Sequence, residues 1–99
     1  MVYYSLKRFF SLVIHMKLVI EFEDLEKIAS KLGARFNPNN YFICLDIKGN
    51  AVFVPTRTSR HTHTIVVLVR DNEISKLKEW AKNNGFEFME SCLALPDNS

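Results

Sequence analysis

From Lys17 to Phe22 the chain reads Lys-Leu-Val-Ile-Glu-Phe, so that Leu18, Ile20 and Phe22 alternate with Lys17, Val19 and Glu21. A period of two predicts a strand with one strongly apolar face. The period then lengthens. Leu25, Ile28, Ala29 and Leu32 fall at i, i+3, i+4 and i+7, the stripe of an amphipathic helix, and Gly33 stands where a left-handed residue ends one. The acidic residues Glu21, Glu23, Asp24 and Glu26 suit the positive end of that helix.

Asn37 to Asn40, "NPNN", forms a turn cluster and delivers the chain to "YFICLDI", a run rich in aromatic and β-branched residues. Lys48, Gly49 and Asn50 make a short hairpin connection into "AVFV", and Pro55 ends that strand or places it at an edge. The next strand, "IVVLVR", is apolar on both faces and therefore central in a sheet. A second helix is predicted from Glu73 to Asn84, capped by Asp71 or Asn72, with Ile74, Leu77, Trp80 and Ala81 as its buried stripe and Gly85 as its stop. "FEFME" follows as a last strand, and "LPDNS", residues 95–99, is a loose tail.

The order is strand, helix, three strands, helix, strand. Setting Gly33 on Gly85 aligns Leu25 with Leu77, Ala29 with Ala81 and Phe36 with Phe88, so two strand-helix-strand halves are joined by a hairpin. This predicts an α/β (α+β) fold, ferredoxin-like β-α-β-β-(β)-α-β or a near variant, with two helices on one face of a mainly antiparallel sheet. Residues 16–94 are read as a single α/β domain, and 51–64 as an elaboration between its halves. Residues 1–15 are read as an N-terminal extension, because "MKLVIEFEDL" from Met16 resembles a domain's natural beginning. The apolar run Phe9 to Ile14 is too short for a signal peptide's core or a membrane span, so neither secretion nor insertion is expected.

Composition narrows the function. With 99 residues, 47% hydrophobic and 24% charged, the chain supports one core and has an ordinary globular balance. A net charge of +2 says little, but its distribution says more. Between Lys48 and Arg70 lie four basic residues and no acid, while the remainder carries 9 basic and 11 acidic residues. Cys44 and Cys92 are far apart in sequence and outside any CxxC spacing. They are therefore expected to be buried free thiols in a reducing, cytoplasmic compartment.

The chemistry-bearing stretch is "RTSRHTHT", Arg57 to Thr64. His61 and His63 would share a face of an extended segment, as a metal-binding pair does, but a site needs further ligands. His15, Cys44, Asp46 and Cys92 are the candidates, and nothing in their spacing brings them there. The His-hydrophobic-His signature of replication-type nickases is similar. However, residue 62 is Thr, and Tyr3, Tyr4 and Tyr41 all lie outside the predicted helices, where the tyrosine nucleophile would sit. The order of elements ending in "AVFVP" has a loose likeness to HicA-type toxin ribonucleases, but the segment matching their catalytic histidine is "NNYF", which has none. Serine-type catalysis lacks its G-x-S-x-G elbow, and the three isolated glycines cannot cradle a nucleotide phosphate.

What remains is electrostatic. Arg57 and Arg60 offer planar forks for phosphate, His61 and His63 add donors, and the Ser and Thr hydroxyls bond phosphate oxygens without sequence preference. Lys48 and Arg70 are outer contacts. Tyr41 and Phe53 would stack on bases if the sheet's open face is exposed. The expected function is thus a small non-enzymatic binding module for nucleic acid or a phosphate-bearing ligand, with no cofactor implied. The alternative is a homodimeric interaction or structural protein in which the loop is only solvated and Phe9, Phe10, Leu12, Val13 and Ile14 cover the sheet or meet a second copy. A small metal-dependent or nuclease-like enzyme is the third.

Overall fold

The computed structural model describes residues 16–57 and 63–94. The extension 1–15, the loop residues Arg60 and His61, and the tail 95–99 lie outside the described residues.

Strands β1 (Met16–Glu21), β2 (Tyr41–Leu45), β3 (Ala51–Pro55), β4 (His63–Leu68) and β5 (Phe88–Met89) are joined with helices α1 (Leu25–Leu32) and α2 (Ile74–Asn83) in the order β-α-β-β-β-α-β. The molecule is a small α/β fold with two helices packed against a mixed five-stranded sheet, consistent with a ferredoxin-like topology. The sheet order is β1-β4-β3-β2-β5. The pairings β1–β4 and β2–β5 are parallel, and β2–β3 and β3–β4 antiparallel. It is thus evenly mixed rather than mainly antiparallel, because each helix returns the chain in the direction it left.

Alternation decides which side of each strand is buried. Ile20, Ile43, Ala51, Phe53, Ile65 and Val67 project to one face and form a common core with Leu25 of α1 and Leu77 and Ala81 of α2. The opposite face carries Val19, Val66, Val52, Cys44 and Met89 in one cross-strand row. Phe36, which follows α1, sits at the centre of an aromatic cluster, with ring centroids 5.1 Å from Phe53, 5.3 Å from Tyr41 and 5.4 Å from Phe86. Trp80 stacks on Phe86 at 5.4 Å, and its indole N–H donates to the Glu26 carboxylate at 2.8 Å, which ties α2 to α1. Gly33 and Gly85 end the two helices with φ of +64° and +77°, the left-handed conformation that a side chain opposes.

Several local expectations shift. α2 begins at Ile74 after a 3₁₀ turn, Asp71–Glu73. Neither Asp71 nor Asn72 caps it. Instead the Glu73 carboxylate accepts from the Arg70 N–H at 2.9 Å, so the acid reaches back over the first turn. The last strand shrinks to two residues.

The cysteines are not free. Cys44 and Cys92 form a disulfide across a sequence separation of 48, with Cα atoms 5.0 Å apart. The physical reason is the β2–β5 pairing. Cys44 lies beside Met89, and the short 3₁₀ turn Cys92–Ala94 brings the second sulfur back onto β2.

Closing a loop of that length stabilises the fold by about 4 kcal/mol in the chain-entropy account, at the upper end of the usual range. Replacing both residues, Cys44→Ala with Cys92→Ala, is expected to lower unfolding stability by about 2–4 kcal/mol. Denaturant titration measures this, and two reactive thiols in the unreduced, unfolded wild type would show that the link is not made. Phe53→Ala, which removes a fully buried ring from the aromatic cluster, is expected to cost about 3–5 kcal/mol in the same measurement.

Candidate anion-binding site

The strand ends sort the basic residues into two groups. β2 starts, β3 finishes and β4 starts at one end of the sheet, which collects Tyr41, Arg57 and His63. The β2–β3 hairpin and the end of β4 lie at the other, with Lys48 and Arg70. β4 alone separates the two ends by about 17 Å at the usual rise per residue. Of the six expected contacts, then, Arg57 and His63 share one end, Lys48 and Arg70 the opposite one, and Arg60 and His61 are outside the described residues.

At the hairpin end the side chains serve the turn. Asp46 accepts from the N–H groups of Lys48 and Asn50, each at 2.9 Å, and the Asn50 side-chain oxygen accepts from Val69 N–H at 3.3 Å. Asp46 is therefore a turn residue, and with Cys44 and Cys92 joined, three of the four extra metal-ligand candidates are committed elsewhere. The fourth, His15, lies outside the described residues. Among the described residues no group of three or more His, Cys, Asp or Glu side chains is placed to hold a metal ion.

At the other end there is a cavity of about 240 Å³, lined by Lys31, Leu32, Arg35, Phe36, Tyr41 and His63. α1 presents Lys31 in its last turn, and the following 3₁₀ turn, Gly33–Arg35, swings Arg35 over the sheet. Asn40 holds this turn, since its side-chain N–H donates to the Arg35 carbonyl at 3.1 Å. The Asn40 carbonyl in turn accepts from Thr56 N–H at 2.8 Å, which fixes the exit of β3 and brings Arg57 to the same end.

His63 and Tyr41 are linked through a gap in the ladder. The β3–β4 ladder ends at Phe53–Ile65, short of the position where its register, continued, would set Pro55 against His63. The His63 N–H donates to the Tyr41 hydroxyl instead, at a long 3.5 Å. Tyr41 is 4% exposed, and no acceptor among the described residues takes its hydroxyl proton. A buried donor without an acceptor is costly. Tyr41 lines the cavity together with Lys31, Arg35 and His63.

Among the described residues no carboxylate lines this cavity. Among the described residues the one ion pair joins Lys78 and Glu90, so Arg57 and Arg70 are not drawn off by the acidic cluster at Glu21 to Glu26. The carbonyl end of α1 carries roughly half a negative charge, which two full cationic charges outweigh.

The stacking role of Tyr41 and Phe53 is overturned: Phe53 is fully buried, and Tyr41 lends only its hydroxyl. Both project to the helix-covered face, as the alternation from Ile43 required. Lys31 and Arg35 lie outside the charge-biased window, and the signal for them was their position flanking the predicted helix stop at Gly33. Among the described residues, no helix is long and apolar enough to cross a membrane. No family model matches the chain, and neither a curated protein nor a solved structure matches it.

Proposed function

We propose that the protein is a non-enzymatic binding module that holds a phosphate-bearing ligand at the end of the sheet where α1 stops and β4 starts. The supporting observation is the cavity itself: Lys31, Arg35, His63 and the buried Tyr41 line it, and among the described residues no acid does. Its volume of about 240 Å³ falls below the roughly 300–1,000 Å³ of sites that enclose whole small molecules. It suits one phosphate group of a larger ligand. A nucleic acid meets that description, with Arg57 at the same end of the sheet; Arg60 and His61 lie outside the described residues. Lys48 and Arg70 then touch only a strand long enough to reach the far end.

The homodimeric alternative rests on Phe9 to Ile14, which lie outside the described residues, and the exposed edge of β1 offers it a separate basis. A cytoplasmic location rested on two reduced thiols. The Cys44–Cys92 link removes that support, since structural disulfides are rare in the cytosol outside hyperthermophiles.

The test is a titration with orthophosphate and with labelled single- and double-stranded oligonucleotides from about 50 mM salt upward. Lys31→Ala with Arg35→Ala is expected to weaken both ligands at least tenfold, and Arg57→Ala with Arg60→Ala to weaken them further. Lys48→Ala with Arg70→Ala should spare orthophosphate and reduce the salt slope only for oligonucleotides. Absence of binding at low salt, or affinity indifferent to Lys31 and Arg35, refutes the assignment.

A further inference from the structure

β1 is an edge strand. Its one partner among the described strands is β4, and N–H and C=O groups point to alternate sides along a strand, so half of its backbone groups are directed at the free edge. Among the described residues the edge is accessible as well as unpaired: Leu18 is 37% and Val19 53% exposed, and Lys17 and Glu21 are exposed on either side of them. It is also regular, without the proline, bulge or extreme shortness that usually blocks edge pairing. The far edge differs. β5 has two residues, and the disulfide-linked turn Cys92–Ala94 follows it.

The charges on β1 give this edge a direction. Lys17 and Glu21 lie symmetrically about Val19. If a second β1 pairs antiparallel across a two-fold axis at Val19, Lys17 of each strand faces Glu21 of the other, Leu18 faces Ile20, and Val19 faces Val19. Both charge contacts are attractive, and they fall on the Val19 face, away from the helices. Leu18 and Ile20, on the helix face beside Ile65 and Val67, continue the core across the axis. A parallel, in-register pairing sets Lys17 on Lys17 and Glu21 on Glu21, which repels. Two like charges would have marked an edge guarded against copies of itself. Two opposite charges at mirrored positions favour one copy in one orientation.

We infer that β1 is a dimerisation edge, at which two copies of the chain join antiparallel about Val19 into one continuous ten-stranded sheet. Such an interface is isologous and closes at two, and the short β5 edge offers no template for further addition. The inference is independent of the anion site. His63 begins β4 beside Met16, so the two cavities would lie near the ends of the shared β1 pair rather than within it.

Sedimentation or light scattering of the full chain from one to one hundred micromolar (roughly the range a modest interface needs) tests it. The wild type is expected to dimerise. Lys17→Glu and Glu21→Lys, each of which creates two like-charge contacts across the axis, should each weaken the dimer at least tenfold at low salt. The double swap, Lys17→Glu with Glu21→Lys, should restore it, and mixing the two single variants should form a heterodimer more readily than either associates alone. All are exposed positions, so circular dichroism is expected to show an unchanged fold. A monomer throughout that range overturns the inference, as does a dimer indifferent to the charge reversals. Phosphate affinity measured on the same variants should not move, which separates this result from the fate of the anion site.

Discussion

The packing of Phe36 against Phe53 is the contact on which the arrangement turns. Phe53 comes from the middle of β3 and is fully buried, while Phe36 is the first residue after the turn that ends α1. Their contact fixes where α1 stops relative to the sheet. Tyr41 and Phe86 close around Phe36, and Trp80 stacks on Phe86 while reaching Glu26 of α1. One aromatic group therefore joins both helices and the centre of the sheet. Aromatic burial of this kind contributes through area and through edge-to-face geometry, and it leaves little freedom for sliding.

The cavity is a consequence of that packing. Because Phe36 is drawn into the core, the turn before it lies against the sheet end, and Lys31 and Arg35 come to rest above Tyr41 and His63. The end of the β3–β4 ladder adds the second condition. Pairing stops at Phe53–Ile65, and the His63 N–H is given to the hydroxyl of the buried Tyr41. The cavity thus lies where the β3–β4 ladder stops. The opposite end has the reverse character: Asp46 and Asn50 satisfy the hairpin internally, and Lys48 and Arg70 project from a closed turn.

The two edges of the sheet are also unlike. At one, the disulfide fastens the last turn to β2, so the short β5 is held although it has only two paired residues. At the other, β1 is long, regular and bordered by opposite charges. Among the described strands, the sheet thus has one fastened edge and one unpaired edge.

The order of elements was legible in the sequence because periodicity and punctuation are local. Leu25, Ile28, Ala29 and Leu32 mark α1 whatever it packs on, Gly33 and Gly85 end helices because only glycine adopts their positive φ without strain, and the apolar run after His63 belongs in a sheet interior. Local patterns do not state partners. That β1 lies at the edge beside β4, that Cys92 returns to Cys44, and that Lys48 and Arg70 fall at the opposite end of β4 from His63 all follow from how strands pair at long range. The electrostatic site was half visible for the same reason: Arg57 and His63 stood out in a stretch free of acids, whereas Lys31 and Arg35 joined them only because burying Phe36 brings the end of a helix over the end of a sheet.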